Sequence, residues 1–460
     1  MAEKEFDLVV LGGGPGGYVA AIRASQLGMT AAVIDENKKF GGTCLRVGCI
    51  PSKALLESSH LLVEARDHMM EHGITATKLT VDLAAMMRRK AGVVDTLTGG
   101  ISMLLKKNKV TAIVGRGKLT GSNTIEISNG DVVKAKNIIV ATGSVPMALP
   151  GIEVDGDRIG DSTAALSYTS VPRKLIVIGG GYIGLELGSV WSRLGSEVTI
   201  LEAMDKVLGG LDQEIARTAT RTFEKQGLSF RTGMFVESVT RDGDTCKVTI
   251  KGGEVIECDR VLVSAGRSPN TRDIGLEAAG VQVDKRGFVI TNEHLQTSVP
   301  SVHAIGDCIG GAMLAHKASE EGIAVVERLA KGVGHVNYDT IPAIVYTHPE
   351  IASVGKTEEQ LKTEGVAYKK GSCPFGANGR ARAMGAEDGK IKILADADTD
   401  RILGVHAIGS RAGDLIAEAA IAMNFGASSE DLARCCHAHP TLSEIMQEAA
   451  LAVSKRAIHT

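Results

Sequence analysis

The segment from Gly41 to Lys53 carries the residue types with the most distinctive chemistry in this chain. Cys44 and Cys49 are separated by four residues, and on a helical turn we expect such a gap to bring both sulfurs onto one face. Their Cβ atoms could then approach to about 4 Å, the range of a disulfide. A structural disulfide is rare inside cells, and a zinc site needs a second ligand pair, which does not follow nearby. The pattern therefore predicts a redox dithiol that shuttles two electrons.

A glycine-rich loop lies directly upstream of this dithiol. The apolar run Phe6–Leu11 predicts a buried parallel strand, and Tyr18–Gly28 predicts the helix that follows. Asp35 ends the next strand and is placed to accept hydrogen bonds from ribose hydroxyls. The helix N-terminus would face a pyrophosphate with its partial positive charge. Three glycines match the spacing G-x-G-x-x-G of a dinucleotide-binding turn, namely Gly12, Gly14 and Gly17.

The same pattern returns in the middle of the chain. Leu175–Ile178 predicts a strand, Leu185–Leu194 a helix, and Val198–Glu202 a second strand that again ends in an acid. The Glu202 carboxylate can accept a hydrogen bond from a free ribose 2′-hydroxyl, and it repels a 2′-phosphate. NAD(H) is therefore favoured over NADP(H). The chain therefore carries two dinucleotide folds. The glycines of the second turn are Gly179, Gly181 and Gly184.

Length, charge and hydropathy narrow the class of protein. A chain of 460 residues with 44% apolar residues has room for three or four domains with large cores. The formal net charge of −3 offers no general basis for binding nucleic acid or an acidic membrane. No apolar run approaches the length of a membrane span, and the first strand begins without signal or transit features. We expect a cytoplasmic protein, or a mitochondrial matrix protein if the chain is a processed eukaryotic one.

The other six cysteines form no disulfide framework. Only Cys435 and Cys436 are adjacent, and a disulfide between neighbours in the chain is strained. Both fall in a segment with a helical pattern. We therefore predict that they are ordinary buried thiols.

The motifs divide the α/β chain into four predicted domains. The first, 1–148, is a dinucleotide-binding domain that holds the dithiol and a long helical excursion from Ser52 to Lys107. The second dinucleotide-binding domain is predicted at 149–270, and a central domain at 271–340. Residues 341–460 carry no nucleotide motif, so subunit contact is the role expected of them.

Several motifs stand in the order of one known family. The chain resembles, over its whole length, the class I flavin-dependent pyridine nucleotide-disulfide oxidoreductases, and among them the dihydrolipoamide dehydrogenases. The resemblance implies two Rossmann-like domains for FAD and NAD, a central segment that completes the FAD site, and a C-terminal α+β dimerisation domain. Besides the dithiol segment, the motifs are Ala141-Thr142-Gly143, Ala304-Ile305-Gly306-Asp307, Met313 to Lys317, Tyr346 to Glu350 and His437 to Glu444.

The resemblance also implies which residues hold the cofactors. Lys53 corresponds to the lysine beside the flavin ring, and Glu186 to its acidic partner on the helix of the second fold. A cation there stabilises negative charge on the reduced flavin. For FAD the implied positions are Gly12, Gly14, Gly17, Asp35, Gly42, Thr43, Lys53, Gly117, Thr142, Gly143, Ser144, Asp307, Met313, Leu314, Ala315 and His316. For NAD they are Gly179, Gly181, Tyr182, Gly184, Glu186, Glu202 and Gly266.

The implied reaction oxidises protein-bound dihydrolipoamide by disulfide exchange. Cys44 would be the outer sulfur that exchanges with substrate, and Cys49 the sulfur that faces the flavin. A free thiol has a pKa near 8.5, so a base is needed, and His439 held by Glu444 is the candidate. We expect His437 to be structural. The expected assembly is a homodimer in which each subunit lends its histidine to the other, with lipoyl domains or a glycine-cleavage H-type protein as partners.

Two positions depart from the usual pattern of the lipoamide enzymes. Arg46 stands where many relatives carry Asn, and it either favours a thiolate or points to solvent. Tyr182 resembles the tyrosine of glutathione reductases, so a glutathione-reductase-like enzyme is one alternative. A mercuric-reductase-like enzyme is a second, and a non-enzymatic component of a large complex is a third.

Overall fold

The computed structural model describes residues 4–460, which divide into two units. The first unit contains the chain up to Leu55, then Asp82–Ala148 and Gly266–Val336. The second unit contains Leu56–Val81, Leu149–Ala265 and Asn337–Thr460. The finer division into four domains stays a prediction.

The strands are numbered here in chain order. They are β1 (Lys4–Leu11), β2 (Ala31–Asp35), β3 (Thr111–Val114), β4 (Gly117–Gly121), β5 (Thr124–Ile127), β6 (Val132–Val140), β7 (Ser144–Pro146), β8 (Ile159–Gly160), β9 (Lys174–Ile178), β10 (Glu197–Glu202), β11 (Leu228–Thr232), β12 (Val236–Asp242), β13 (Thr245–Ile250), β14 (Val255–Cys258), β15 (Arg260–Val263), β16 (Arg267–Pro269), β17 (Val302–Ala304), β18 (Ala343–Val345), β19 (Glu350–Gly355), β20 (Tyr368–Pro374), β21 (Lys390–Asp396) and β22 (Ile402–Gly409).

The helices follow the same convention. They are α1 (Pro15–Gln26), α2 (Gly42–Val47), α3 (Cys49–Val63), α4 (Leu83–Lys107), α5 (Ser162–Ala165), α6 (Tyr182–Arg193), α7 (Gln213–Lys225), α8 (Ala315–Lys331), α9 (Glu358–Glu364), α10 (Gly379–Ala383), α11 (Ala412–Asn424), α12 (Ser429–Arg434) and α13 (Glu444–Val453). A π-helical turn (Glu64–His68) follows α3, and short 3-10 turns lie at Met69–His72, Gly306–Ile309, Tyr338–Thr340 and Phe375–Ala377. Within residues 4–460, no helix has the length and apolar character needed to cross a bilayer.

The first unit is organised around one sheet with the order β3-β2-β1-β6-β5-β4, and β17 also pairs with β6. β1 pairs in parallel with β2 and β6, so helical connections must cover the sheet. Alternate residues of β1 belong to different cores: Leu8 and Val10 to one, Val9 and Leu11 to the other. The strand is therefore buried on both faces, which explains its unbroken apolar run.

Helices α1 and α8 pack against each other in this unit through glycines. A Cβ on Gly16 would lie 2.9 Å from the Ala318 carbonyl oxygen, and one on Gly322 would lie 2.8 Å from the Gly16 oxygen. Neither position has room for a side chain, so the two helix backbones meet directly. The packing brings the start of α8 to the face of the sheet that carries the first glycine-rich turn.

The second unit contains a parallel sheet with the order β11-β10-β9-β15-β8 and a three-stranded antiparallel sheet, β12-β13-β14. Its C-terminal part is a five-stranded sheet with the order β18-β19-β22-β21-β20, whose neighbours all pair antiparallel. One buried core joins that sheet to α11 and α13. The C-terminal part is thus an α+β layer structure, distinct from the dinucleotide fold.

The predicted strands at Phe6–Leu11, Leu175–Ile178 and Val198–Glu202 are confirmed as β1, β9 and β10. The predicted helical excursion to Lys107 contains the end of α3 and all of α4. Between them, residues 73–82 are not helical. Asp82 caps α4 by accepting a hydrogen bond from the Ala85 N–H.

The prediction for Cys435 and Cys436 is wrong. Both thiols are exposed, and they lie beyond the end of α12. The helix stops because other groups satisfy its last carbonyls: the Gln447 amide donates to the oxygens of Ala433 and Cys435, at 3.1 and 2.9 Å. Gln447 comes from the following helix, so the helical pattern of the local sequence does not reveal this stop.

His303 in β17 makes the stability of the first unit depend on pH. Its side chain is buried, its Nδ1 has no hydrogen-bond partner, and burial lowers its pKa from 6.5 to about 4. The unfolded chain takes up this proton first, so the stabilising effect is complete above pH 6.5 and is lost as pH falls towards 4.

We expect His303→Gln to lose less stability on acidification than the parent protein, by up to about 3 kcal/mol. Urea unfolding followed across this pH range measures the difference. His294→Gln is the control because His294 is exposed in the same unit. Identical pH profiles for the parent and His303→Gln would contradict the assignment.

Candidate active site

The redox segment is divided between two helices. α2 begins at Gly42 and ends at Val47, and α3 begins at Cys49. On one continuous helix, residues five positions apart point about 140° away from each other, so the expectation of a shared helical face is wrong. The break at Gly48 brings the sulfurs together instead. A Cβ at Gly48 would lie 2.9 Å from the Thr43 carbonyl oxygen, so the break depends on glycine.

Cys44 and Cys49 are adjacent thiols in the first unit. Their side chains are hydrogen-bonded, and this bond together with burial raises the pKa of Cys44. The nearby Lys53 charge acts in the opposite direction and favours the thiolate. Lys53 is therefore the cation that acts on the Cys44 thiol. Arg46 has a buried Nε without a hydrogen-bond partner, so this part of the guanidinium does not point to solvent.

The first glycine-rich turn is closed by backbone contacts that exclude side chains. A Cβ on Gly17 would lie 1.8 Å from the Gly12 carbonyl oxygen, and Gly12 itself has a φ of 110°. Asp35 holds the turn from the next strand, because its Oδ2 accepts the Gly13 N–H at 2.8 Å. Gly14 is the N-cap of α1 and has no side-chain cap. The N–H groups of the first helical turn are therefore available to phosphate oxygens.

A second group of predicted FAD residues follows the end of β6. Thr142 has a buried Oγ1 without a hydrogen-bond partner, and Gly143 has a φ of 71°. The Ser144 hydroxyl donates to Asp307 at 2.5 Å and accepts from Arg267 Nε at 2.6 Å. This chain of bonds fixes Asp307 against the strand end. The sequence analysis missed Arg267.

The start of α8 completes this region of the first unit. Leu314 is the N-cap of α8 and has an extended conformation. No side chain caps the N-terminus of this helix, which begins at Ala315. Below it, Lys317 and Glu321 form a buried ion pair at 2.9 Å, and Glu321 also accepts the Gly306 N–H at 2.7 Å. The same unit contains the remaining predicted FAD positions, Gly42, Thr43, Gly117, Met313 and His316.

The second unit contains a glycine-rich turn with the same backbone contacts as the first. A Cβ on Gly184 would lie 2.2 Å from the Gly179 oxygen, and Gly179 has a φ of 109°. Glu202 accepts the Gly180 N–H through Oε2 at 2.7 Å and the Met204 N–H through Oε1 at 2.8 Å. Each dinucleotide fold therefore uses the acid at the end of its second strand to hold its own glycine-rich turn.

The other predicted NAD positions lie in different places. Gly181 is the N-cap of α6, and Tyr182 is the first residue of that helix, with an exposed side chain. Glu186 is buried on α6, and its Oε1 accepts the Tyr346 N–H at 3.0 Å. Gly266 belongs to the first unit. The pairing of Glu186 with Lys53 stays a prediction.

His439 and Glu444 form a pair in the second unit, with 2.9 Å between His439 Nδ1 and Glu444 Oε1. Burial raises the pKa of Glu444, but hydrogen bonds from the Thr441 N–H and from His439 outweigh it, so the pKa is lowered. Glu444 therefore stays ionised and orients the imidazole. His439 has 77% of its side chain exposed, which leaves Nε2 open to exchange a proton. The peptide bond before Pro440 is cis.

His437 has a different environment. Its side chain is only 6% exposed, its Nε2 lies 2.6 Å from Glu418, and its Nδ1 lies 2.9 Å from the Cys435 carbonyl oxygen. Both ring nitrogens are used inside the fold, which agrees with a structural role.

Comparison with known proteins identifies the family. The model of the pyridine nucleotide-disulphide oxidoreductases matches residues 6–322, and the model of their dimerisation domain matches residues 341–450. The chain belongs to the pyridine nucleotide-disulphide oxidoreductase family. This confirms the predicted oxidoreductase class, the α/β fold with FAD- and NAD-binding domains, and the C-terminal dimerisation domain. It also supports the predicted homodimer.

Similar proteins come from plants and bacteria. Dihydrolipoyl dehydrogenase 1, mitochondrial, of Arabidopsis thaliana is 53% identical, and the match covers 99% of this chain and 92% of the relative. The dihydrolipoyl dehydrogenase of Cupriavidus necator is 52% identical, and the match covers 99% of both chains. The crystal structure of LpdA from Mycobacterium tuberculosis superposes with a TM-score of 0.89 at 30% identity, covering 97% of this chain and 99% of that one.

The two turns fit the FAD and NAD that the family uses. In each turn, glycines occupy positions where a Cβ atom would collide with a backbone carbonyl oxygen. In the first unit, the unpartnered Thr142 hydroxyl adds a buried polar group for a ligand to satisfy. In each fold a carboxylate at the end of the second strand accepts an N–H group of the turn, in Asp35 and Glu202.

Glu202 generates a prediction about coenzyme choice. Its carboxylate repels a 2′-phosphate, so we expect NAD⁺ to be preferred over NADP⁺ by at least about tenfold in kcat/KM, or roughly 1.4 kcal/mol. Glu202→Gln should narrow this preference. Steady-state rates with both coenzymes measure it, and Glu197→Gln, an exposed position on the same strand, should leave the ratio unchanged. Equal use of both coenzymes by the parent protein would refute the assignment.

Proposed function

We propose that this protein is an NAD-dependent dihydrolipoyl dehydrogenase, which oxidises protein-bound dihydrolipoamide to lipoamide. The observation that carries the proposal is the hydrogen-bonded thiol pair of Cys44 and Cys49 beside Lys53, in a chain half identical to dihydrolipoyl dehydrogenases over nearly its whole length. A dithiol substrate needs a disulfide to accept its electrons by exchange, and the two cysteines supply one when oxidised.

The first step of the reaction is a thiol–disulfide exchange. His439 removes the proton from one substrate thiol, and the resulting thiolate attacks the Cys44 sulfur of the Cys44–Cys49 disulfide. The bond between the two cysteines breaks, and its electron pair stays on Cys49 as a thiolate. The substrate is now joined to Cys44 by a mixed disulfide.

The second exchange releases the product. His439 passes the first proton to solvent and then accepts the proton of the remaining substrate thiol, and the resulting thiolate attacks its neighbouring sulfur in the mixed disulfide, which closes the lipoamide ring. The electron pair of the broken bond stays on Cys44, where Lys53 favours the negative charge. Two electrons have then moved from substrate to the protein dithiol. When bound, FAD supplies the two-electron transfer from this dithiol to NAD⁺.

Glu444 positions the base for these steps. Its carboxylate accepts from His439 Nδ1, so the tautomer with a proton on Nδ1 and a lone pair on Nε2 is favoured. After the proton transfer, the same carboxylate stabilises the imidazolium. The geometry is that of an oriented histidine base.

We place this base in the site of the other subunit. In the single chain, His439 is exposed, and apolar side chains of the same C-terminal part are also exposed: Phe425 to 84% and Ile421 to 61%. Exposed apolar surface of this kind is typical of a subunit interface. A twofold dimer would cover it and bring each His439 to its partner's dithiol.

The proposed partners are proteins that carry lipoyl groups, in 2-oxo acid dehydrogenase complexes or in the glycine cleavage system. The proposed location is the cytoplasm or the mitochondrial matrix, which agrees with similar proteins from a bacterium and from plant mitochondria.

Activity of the FAD-loaded protein tests the proposal. We expect NADH to form from NAD⁺ and dihydrolipoamide, and we expect no comparable rate with glutathione disulfide or mercuric ion as electron acceptor. Cys44→Ser and Cys49→Ser should each abolish the activity, because either change prevents the disulfide. Cys435→Ser, at an exposed cysteine, is the matched control. Preference for glutathione disulfide would replace the proposal with the glutathione-reductase alternative.

The two cysteine variants also separate the roles of the sulfurs. If Cys49 faces the flavin, Cys44→Ser should show a long-wavelength thiolate-to-flavin absorbance band without added reductant. Cys49→Ser should resemble free FAD. The opposite pair of spectra would reverse the assignment.

Mixed dimers test the shared site. Subunits with Cys44→Ser are combined with subunits with His439→Gln, and each homodimer is nearly inactive. If the base acts across the interface, every mixed dimer has one intact site, so a statistical mixture should regain about a quarter of wild-type activity. If the base serves its own chain, every site keeps one lesion. Persistent inactivity, with mixed dimers verified by mass, would disprove the shared site.

A further inference from the structure

A cluster of possible metal ligands lies in the second unit, outside the residues assigned to the redox reaction. Within residues 4–460, one group of three such side chains has its ligand atoms within 4.8 Å of one another: His60, Glu64 and His348. All three are partly buried. The redox mechanism uses none of them.

The local fold brings these residues together from two segments. His60 and Glu64 are four positions apart, so they share one face where α3 passes into its π-helical turn. π-Helical turns of this kind are frequent at functional sites. His348 comes from the loop before β19, and its ring stacks on His60 with 3.8 Å between centroids and 28° between planes.

Burial favours the neutral form of both imidazoles. Burial, with a smaller effect from His60 and Arg193, lowers the pKa of His348 from 6.5 to about 3. Burial also lowers the pKa of His60. The Nδ1 atom of His60 is buried and has no hydrogen-bond partner. A metal ion therefore finds lone pairs that need not first lose a proton.

We propose that His60, Glu64 and His348 form a binding site for Zn²⁺ or a similar divalent transition metal. Two neutral imidazoles and one carboxylate are a ligand set that suits zinc, with water as the fourth ligand. Calcium and magnesium prefer oxygen ligands and fit the set poorly. The carboxylate neutralises half of the metal charge.

The site closes with small side-chain movements. Bonds of about 2.0 Å in a tetrahedron place ligand atoms roughly 3.3 Å apart, so the present 4.8 Å limit must shrink. Glu64 has 39% of its side chain exposed, which leaves it free to swing inward. Metal binding requires the two stacked rings, now 28° from parallel, to tilt until their in-plane lone pairs meet at one point.

The charges around the site are compatible with a cation. Arg193 lowers the pKa of both histidines; its Nη1 lies 3.5 Å from the Leu56 carbonyl oxygen, and its buried Nη2 has no hydrogen-bond partner. Glu57 and Glu64 act on His60 in the opposite direction. At His60, the negative charges of Glu57 and Glu64 thus oppose the positive charge of Arg193.

The proposed metal joins the last turn of α3 to the loop at His348. Its role is to hold the last turn of α3 against this loop, so it should raise thermal stability with the logarithm of its concentration above Kd.

Zinc titration of the FAD-loaded protein tests the site. The background carries Cys44→Ser, Cys49→Ser, Cys435→Ser and Cys436→Ser, so that the dithiol and the exposed thiols do not compete. Calorimetry with zinc chloride at neutral pH should show one equivalent bound per chain. His60→Gln and His348→Gln should each weaken Kd by at least about tenfold, and Glu64→Gln should also weaken it. His72→Gln, at an exposed histidine nearby, should not.

Two further measurements keep the test decisive. Cobalt(II) in the same background should give the visible absorbance of a tetrahedral nitrogen and oxygen site, and His348→Gln should remove it. Zinc should also raise the melting temperature of the background protein but not that of Glu64→Gln, whose half-exposed carboxylate can change without disturbing the fold. The proposal would be overturned if zinc affinity were unchanged in both histidine variants, or if His72→Gln lost as much zinc affinity as they do. Absence of stoichiometric zinc binding would also overturn it.

Discussion

Both dinucleotide folds depend on a helix backbone that touches the turn before it. Gly17 and Gly184 lie in the first turns of α1 and α6, so close to Gly12 and Gly179 that a Cβ would lie about 2 Å from a carbonyl oxygen. This contact fixes the direction of each helix, and hence where its free N–H groups point. The acids Asp35 and Glu202 hold the same turns through single backbone N–H groups. A side chain at either glycine would displace all of these groups together.

The redox chemistry depends on a second backbone constraint, the interruption at Gly48. Because α2 ends before it and α3 begins after it, Cys44 and Cys49 approach without sharing one helix. Burial and the bond between the sulfurs oppose ionisation of Cys44, whereas Lys53 favours it. Lys53 lies one turn along α3 from Cys49, so the segment that brings the sulfurs together also supplies the cation. Position and electrostatics therefore come from the same few residues.

The C-terminal part contributes a group that the dinucleotide folds lack, an oriented base. Glu444 is the first residue of α13, and it anchors His439 while accepting the Thr441 N–H. The helix N-terminus favours the negative charge that this task needs. The base is exposed in a part of the chain that also exposes large apolar side chains. If this exposed surface joins two subunits, as we propose, then dimerisation and catalysis are linked, because the same part of the chain carries the base.

The sequence by itself determined the features that depend on near neighbours in the chain. The two glycine turns, their acids, the cysteine pair and the order of the motifs are all readable, since strand, turn and helix interact within about 30 residues. Other features depend on contacts between residues that are far apart in the sequence. Gln447 ends α12 and leaves Cys435 and Cys436 exposed, contrary to the helical pattern of their own segment. His60 meets His348, and Ser144 links Arg267 to Asp307, through packing that no local pattern encodes. Such contacts form only when separate segments fold together, because burial and hydrogen-bond satisfaction are properties of the assembled structure.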